Sequence, residues 1–135
     1  MPETVRGTRI AHVGIAVRGV EEMLPFYRDV LGLPEIPIDD ADGSRIAGVA
    51  AGDSLIELLD GAEPDSPVAR FMQRRGPGIH HICFAVDDLE AVLERCRDHG
   101  IRLIDETPRI GAEGKRIAFL HPATTGGVLV ELSEH

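Results

Sequence analysis

The stretches Ala11-His12-Val13-Gly14-Ile15-Ala16-Val17 and His80-His81-Ile82-Cys83-Phe84-Ala85-Val86 lie 69 residues apart and share one pattern of histidine, small and β-branched or aromatic residues. A self-match at a fixed offset marks an internal repeat. It continues outward: Val20, Glu21, Met23 and Leu24 fall opposite Leu89, Glu90, Val92 and Leu93, and Arg28-Asp29 opposite Arg97-Asp98. After a slip of one residue, Gly32 meets Gly100. Alternation makes the start of each copy a strand. Apolar residues three and four apart (Val20, Leu24, Tyr27 and Leu31, then Leu89, Val92 and Cys96) make its continuation a helix. Gly32 and Gly100 suit the left-handed residue that closes a helix.

Further short strands follow in each copy, near 44–50 and 54–59 in the first and near 102–105, 115–120 and 127–132 in the second. A strand at 35–38 is weakened by Pro34 and Pro37. The order is βαβββ twice, an α+β arrangement of module one (about 9–61), a linker (about 62–78) and module two (about 79–134). Pro64, Pro67 and Pro77 punctuate the linker around a short helix at Val68–Met72. Modules of this size are small for separate folding, so the expectation is one domain over 1–135 with a shared core.

Composition narrows the function. A chain of 135 residues, 43% apolar and 27% charged, can bury a sizeable core. Its net charge of −9 disfavours broad binding to nucleic acid or anionic lipid. Cys83 and Cys96 fall on core elements, which argues for free thiols and a reducing, cytoplasmic setting. No apolar run is long enough to span a membrane, and the first residues do not read as a secretion signal.

Six histidines are many for so acidic a chain. Strand alternation puts His12, Gly14 and Ala16 on one face, and His81, Cys83 and Ala85 on the matching face of the second copy, with the bulkier residues turned to the core. The last strand of each module carries a glutamate between aliphatics, Glu57 in Leu55-Ile56-Glu57-Leu58 and Glu131 in Leu129-Val130-Glu131-Leu132. A lone strand histidine is commonly a core or surface residue, and a lone glutamate the solvent face of an edge strand. Four residues at repeat-equivalent places fit neither account. If the halves are related by a pseudo-two-fold, two imidazoles and two carboxylates converge as ligands for a six-coordinate divalent ion of the Co, Ni, Mn, Fe or Zn group, with two positions left for substrate or water. His80 points to the opposite face, for packing or a supporting hydrogen bond. His99 and His135 read as exposed, His121 as a turn residue, and Cys83 as a small wall residue.

These residues resemble the vicinal-oxygen-chelate superfamily of glyoxalase I, extradiol dioxygenases, antibiotic-resistance proteins and methylmalonyl-CoA epimerases. HVGIAV, FYRDVLGL, GDSLIELL, PDSPVARFMQRRGPGIHHICF, RLIDETPRIGAEGKRIAFLHP and GGVLVEL are similar to the epimerase family over Arg9 to Glu134. The resemblance implies an open, incomplete eight-stranded barrel around a metal site formed by His12, Glu57, His81 and Glu131. It further implies cobalt or a similar ion (nickel, manganese or zinc), an acyl-CoA substrate, a homodimer, and epimerisation by removal and return of the carbon-2 proton. Glu131 matches a position that is both ligand and one acid/base. The opposing base is where the chain departs: the family's Glu aligns with Ala41, in Asp39-Asp40-Ala41-Asp42-Gly43, so Asp42 or Asp40 is the substitute, or the run is a solvated turn. Lys115-Arg116, or Arg74-Arg75, are candidates for the coenzyme A phosphates. A glyoxalase I type lyase with the same ligands, and a metal-free binding or resistance module, are the alternatives, with an extradiol dioxygenase ranking lower.

Overall fold

The computed structural model describes residues 7–135. The first half contains β1 (Arg9–Ala16), α1 (Val20–Pro25), β2 (Glu35–Ile36), β3 (Arg45–Ala51), β4 (Ser54–Asp60) and α2 (Pro67–Arg75). The second contains β5 (Gly78–Val86), α3 (Leu89–Asp98), β6 (Arg109–Ile110), β7 (Arg116–Leu120) and β8 (Val130–Glu134). Strands within the first half follow the order β2-β3-β4-β1, and those within the second β6-β7-β8-β5. Each has one parallel pair, β1 with β4 and β5 with β8, and antiparallel pairs elsewhere. The α+β class and the twice-repeated βαβββ order are therefore as read from the sequence.

Both halves bury the face opposite their histidine under the module helix. In the first, Val17, Val20 and Leu58 form a core with Ile15, Leu24, Tyr27 and Ile56. In the second, Val86, Leu89, Leu93, Cys96, Ala118, Leu120 and Leu132 do the same, joined by Phe84 and Val130. The linker helix α2 packs on the other face of the first half, where Ala16, Leu59 and Val68 cluster with Phe71 and Met72. Ser66 caps α2 by accepting a hydrogen bond from Ala69 N at 3.1 Å, with Pro67 in the first turn where its missing N–H is harmless. Gly61 lets the chain approach this helix, since a Cβ there would lie 2.6 Å from the Ala69 backbone.

Three local features differ from the sequence expectation. The first helix is α-helical only to Pro25 and continues as a π turn over Phe26–Val30, with Leu31 N bonding to Phe26 O at 3.0 Å. Proline removes a helical N–H and crowds the preceding turn, and a π turn holds one more residue than an α turn. Val20 to Gly32 is one residue longer than Leu89 to Gly100. The π turn thus absorbs the slip seen in the repeat. In the second half the strand expected at 102–105 is reduced to one bridge, Leu103 with Leu120, and the edge strand is β6. The Asp105 carboxylate accepts from Phe119 N at 2.8 Å, and the Ile104 and Asp105 amides converge on one carbonyl, Phe119 O, so the segment bends instead of laddering. Finally, β8 begins at Val130 because Gly126 and Gly127 take positive φ.

Candidate functional site

In the first half, β1 and β4 run parallel with Gly14 opposite Glu57, so the His12 and Glu57 side chains stand on one face. His12 Nδ1 lies 3.4 Å from Glu57 Oε2. In the second half Cys83 is opposite Glu131, and His81 Nε2 lies 3.1 Å from Glu131 Oε1. All four residues are buried, at 3–6% exposure. A buried carboxylate is expensive without compensating charge or hydrogen bonds. Each glutamate has an imidazole nitrogen beside it, and nitrogen and carboxylate oxygen are the donors that divalent transition ions prefer. The donor sets of both halves therefore fit such an ion. Phe119, opposite Glu131 on β7, meets the His81 ring edge-to-face at 5.8 Å between centroids. The Arg109 guanidinium lies over the Phe119 ring, 5.5 Å from its centroid, and its Nε donates to Asp105 at 3.2 Å.

A second repeated constellation escaped the sequence reading. Three residues after Glu57, Asp60 accepts from Val20 N at 3.2 Å and from Arg45 Nη2 at 2.6 Å, while Arg45 also bonds Glu21. Three residues after Glu131, Glu134 accepts from Leu89 N at 3.0 Å and from Arg116 Nη1 at 3.1 Å, while Arg116 also bonds Glu90. Each clamp ties the start of the module helix to the strand that carries the buried glutamate. Hydrogen bonding to Asp60 raises the Arg45 pKa above its ordinary value, and bonding to Glu90 raises that of Arg116. The signal was legible as the shared spacing Glu57/Asp60 and Glu131/Glu134, with Arg45 and Arg116 at the starts of equivalent strands. Arg116, a sequence candidate for coenzyme A phosphates, is thus committed to two carboxylates of its own chain. Lys115, beside it, belongs to the Gly111–Lys115 turn closed by Gly111 N to Lys115 O. Arg75 lies over the Phe71 ring at 6.0 Å, a cation–π distance.

The acidic run is built as a tight hairpin. Ala41 and Ser44 exchange backbone bonds around Asp42 (φ 53°) and Gly43 (φ 74°), the two positive φ values of a type I′ turn. Asp40 Oδ1 accepts from Ile46 N at 3.0 Å, so this carboxylate is engaged in holding the turn. Residues 40–45 with Ala62 and Glu63 line a cavity of about 350 Å³. The remaining histidines sit as expected. His80 packs edge-to-face on Phe71. His121 caps a short 3-10 helix by accepting from Ala123 N at 3.0 Å. His99, exposed at a helix end, faces Arg95 O.

The repeated modules and paired donors define a class. The chain belongs to the glyoxalase/bleomycin resistance protein/dioxygenase superfamily, whose family model matches residues 11–119. Its relatives there include epimerases. The ethylmalonyl-CoA/methylmalonyl-CoA epimerase of Cereibacter sphaeroides is 38% identical over 93% of this chain and 97% of its own. The methylmalonyl-CoA epimerase structure from Mycobacterium tuberculosis matches with a TM-score of 0.89 at 37% identity, covering 99% of this chain and 91% of that one. A methylmalonyl-CoA epimerase solved in complex with methylmalonyl-CoA and NH4+ matches at 0.88 and 36% identity, over 94% of each chain. Within the superfamily the chain groups with the epimerases, an isomerase class, as its sequence motifs imply. Among the described residues no helix is long and apolar enough to cross a membrane.

Proposed function

We propose that this protein interconverts the two epimers of methylmalonyl-CoA or a close α-alkyl homologue, using one divalent ion held by His12, Glu57, His81 and Glu131. The observation that carries the reading is the buried His–Glu couple recurring at the same place in both modules, 3.4 Å in one and 3.1 Å in the other. Bound there, an ion such as cobalt would supply Lewis-acid stabilisation for the negative charge that develops as the carbon-2 proton leaves. The chain's own residues do the rest. Burial at 3–6% exposure excludes water from the donors and strengthens every electrostatic contact around them. Glu131 takes or returns the proton on one face of carbon 2. On the opposite face the family's glutamate is replaced by Ala41, and Asp40 is engaged with Ile46 N. The second acid/base role is assigned to Asp42, next to Ala41 on the hairpin turn. Proton transfer needs hydrogen-bond reach, so the shorter aspartate requires the substrate to sit close to the hairpin. Lys115 remains the candidate for the coenzyme A phosphates, Arg116 being held by Glu90 and Glu134. A homodimer and a cytoplasmic setting complete the reading, on the resemblance and on the free thiols Cys83 and Cys96.

The test is carbon-2 exchange. Cobalt-loaded protein in deuterium oxide should exchange the carbon-2 proton of methylmalonyl-CoA and equilibrate its epimers, and Asp42→Asn should abolish epimerisation while Glu131 still supports exchange from its own face. No exchange above a metal-free control overturns the function, and unchanged epimerisation in Asp42→Asn overturns the role of Asp42.

A further inference from the structure

The two modules differ in what flanks their buried glutamates. Glu131 has Cys83 on one neighbouring strand and Phe119 on the other, so a thiol and a phenyl ring fill both sides. Glu57 has Gly14 and Gly48 in the same register, and neither contributes a side chain. Residues directly opposite on adjacent strands share a face, with Cβ atoms about 5 Å apart. The sheet therefore leaves space on both sides of Glu57 that its twin fills.

Beside Gly48 that space is taken from outside the sheet. A Cβ built on Gly48 would collide with Ile38 Cδ1, and Ile38 Cγ1 lies 3.1 Å from the same point. Ile38 follows β2 on the segment leading to the Asp42-Gly43 turn and is half-buried. Its aliphatic end thus stands where Phe119 stands in the second module, but on a connecting segment. Phe119 is carried by a strand and is held between the His81 ring and the Arg109 guanidinium. Ile38 is the part of the site whose size one side chain on a connecting segment sets.

We infer that Ile38, seated on Gly48 beside Glu57, is the wall against which the carbon-2 alkyl substituent of the acyl-CoA packs, and that this pair sets which alkyl length the enzyme accepts. The inference rests on the epimerase reading. An alkyl group gains from apolar surface, and a hydrophobic pocket separates homologues differing by one methylene by roughly 10- to 200-fold. Shortening Ile38 opens room for a longer substituent. A methyl on Gly48 pushes Ile38 outward into that room, with the opposite effect. A residue that only supported the fold would change both substrates together.

The experiment is kcat/KM for methylmalonyl-CoA and ethylmalonyl-CoA with cobalt-loaded wild type, Ile38→Val, Ile38→Ala and Gly48→Ala, with metal content and circular dichroism measured on each. The ethyl-to-methyl ratio should rise about tenfold or more in Ile38→Ala, rise less in Ile38→Val, and fall below wild type in Gly48→Ala. Should Ile38→Ala not fold, Ile38→Val decides by itself, since it removes a single methylene. A ratio that stays within twofold of wild type in the folded, metal-replete variants overturns the wall while leaving the epimerase reading standing. A wild type inert toward both thioesters overturns both.

Discussion

Replacing Asp60 by alanine removes the acceptor for the first amide of α1 and the more buried of the two carboxylates that hold Arg45. The Asp60 side chain is 5% exposed and Arg45 47%. Losing a cap to a helix-start amide costs about 1 kcal/mol. Losing a charge-assisted hydrogen bond costs about 1.5–3 kcal/mol, taken at its low end because half of Arg45 faces water and is screened. The sum is about 2–3 kcal/mol. At this chain length each kcal/mol lowers Tm by about 3–4 °C, so the expected fall is about 6–12 °C. Asp60→Asn keeps an oxygen for Val20 N and should lose about half as much. Glu134→Ala should also lose less, because the Glu134 side chain is already 28% exposed and Asp88 gives α3 a cap of its own at Ala91 N. Differential scanning calorimetry on the three variants, with reversibility checked, decides the matter. Equal Tm losses for Asp60→Ala and Glu134→Ala, or for Asp60→Ala and Asp60→Asn, would refute the assignment of the first clamp as the stronger one.

Other consequences are open to measurement. Elemental analysis of His12→Ala and of His81→Ala should each show loss of a near-stoichiometric divalent ion that wild type retains; unchanged content in either rejects that histidine as a ligand. Asp42→Asn should keep the wild-type Tm, since asparagine tolerates φ 53°, whereas Asp42→Val should lower stability by about 1–2 kcal/mol; equal stability of the two would mean the turn is not held in that conformation. Cys96 is 9% exposed and burial pushes its thiol pKa up, so iodoacetamide at neutral pH should modify it more slowly than a free thiol. Alkylation at the rate of a free thiol would contradict its place under α3.

The features legible in the sequence rest on local chemistry repeated at a distance. The faces of β1 and β5, the closing roles of Gly32 and Gly100 (φ 74° and 71°) and the cap at His121 need only alternation, left-handed glycine or a turn signal. Glu57 and Glu131 were recognisable because a carboxylate between aliphatics at equivalent places is improbable as surface. The break at Pro25 was harder, since Val20, Leu24, Tyr27 and Leu31 keep helical spacing through it. The move of the edge strand from 102–105 to Arg109–Ile110 depends on Asp105 reaching Phe119 N, a tertiary bond without a local signature. The clamps join residues 15 to 45 positions apart, and only the comparison of one module with the other could have found them. The Ile38–Gly48 contact comes from a segment without regular structure, where periodicity has nothing to report.

The extra residue in the first helix also has a consequence for how duplicated modules grow apart. An α-helix turns about 100° per residue, so an extra position that no π turn absorbed would re-aim every later side chain relative to its twin. Leu24 and Tyr27, the counterparts of the buried Leu93 and Cys96, still pack against the core of the first module, while Phe26, Val30 and Leu31 stand 45%, 72% and 52% exposed. The insertion leaves the strand beneath untouched, and with it the register that aligns Glu57 to Gly14. The first copy thus presents apolar side chains to solvent around its π turn, while both copies keep the same inner pairing of histidine and glutamate. Inheritance of the sheet and divergence of the coat are separable events in this chain, and each half records one of them.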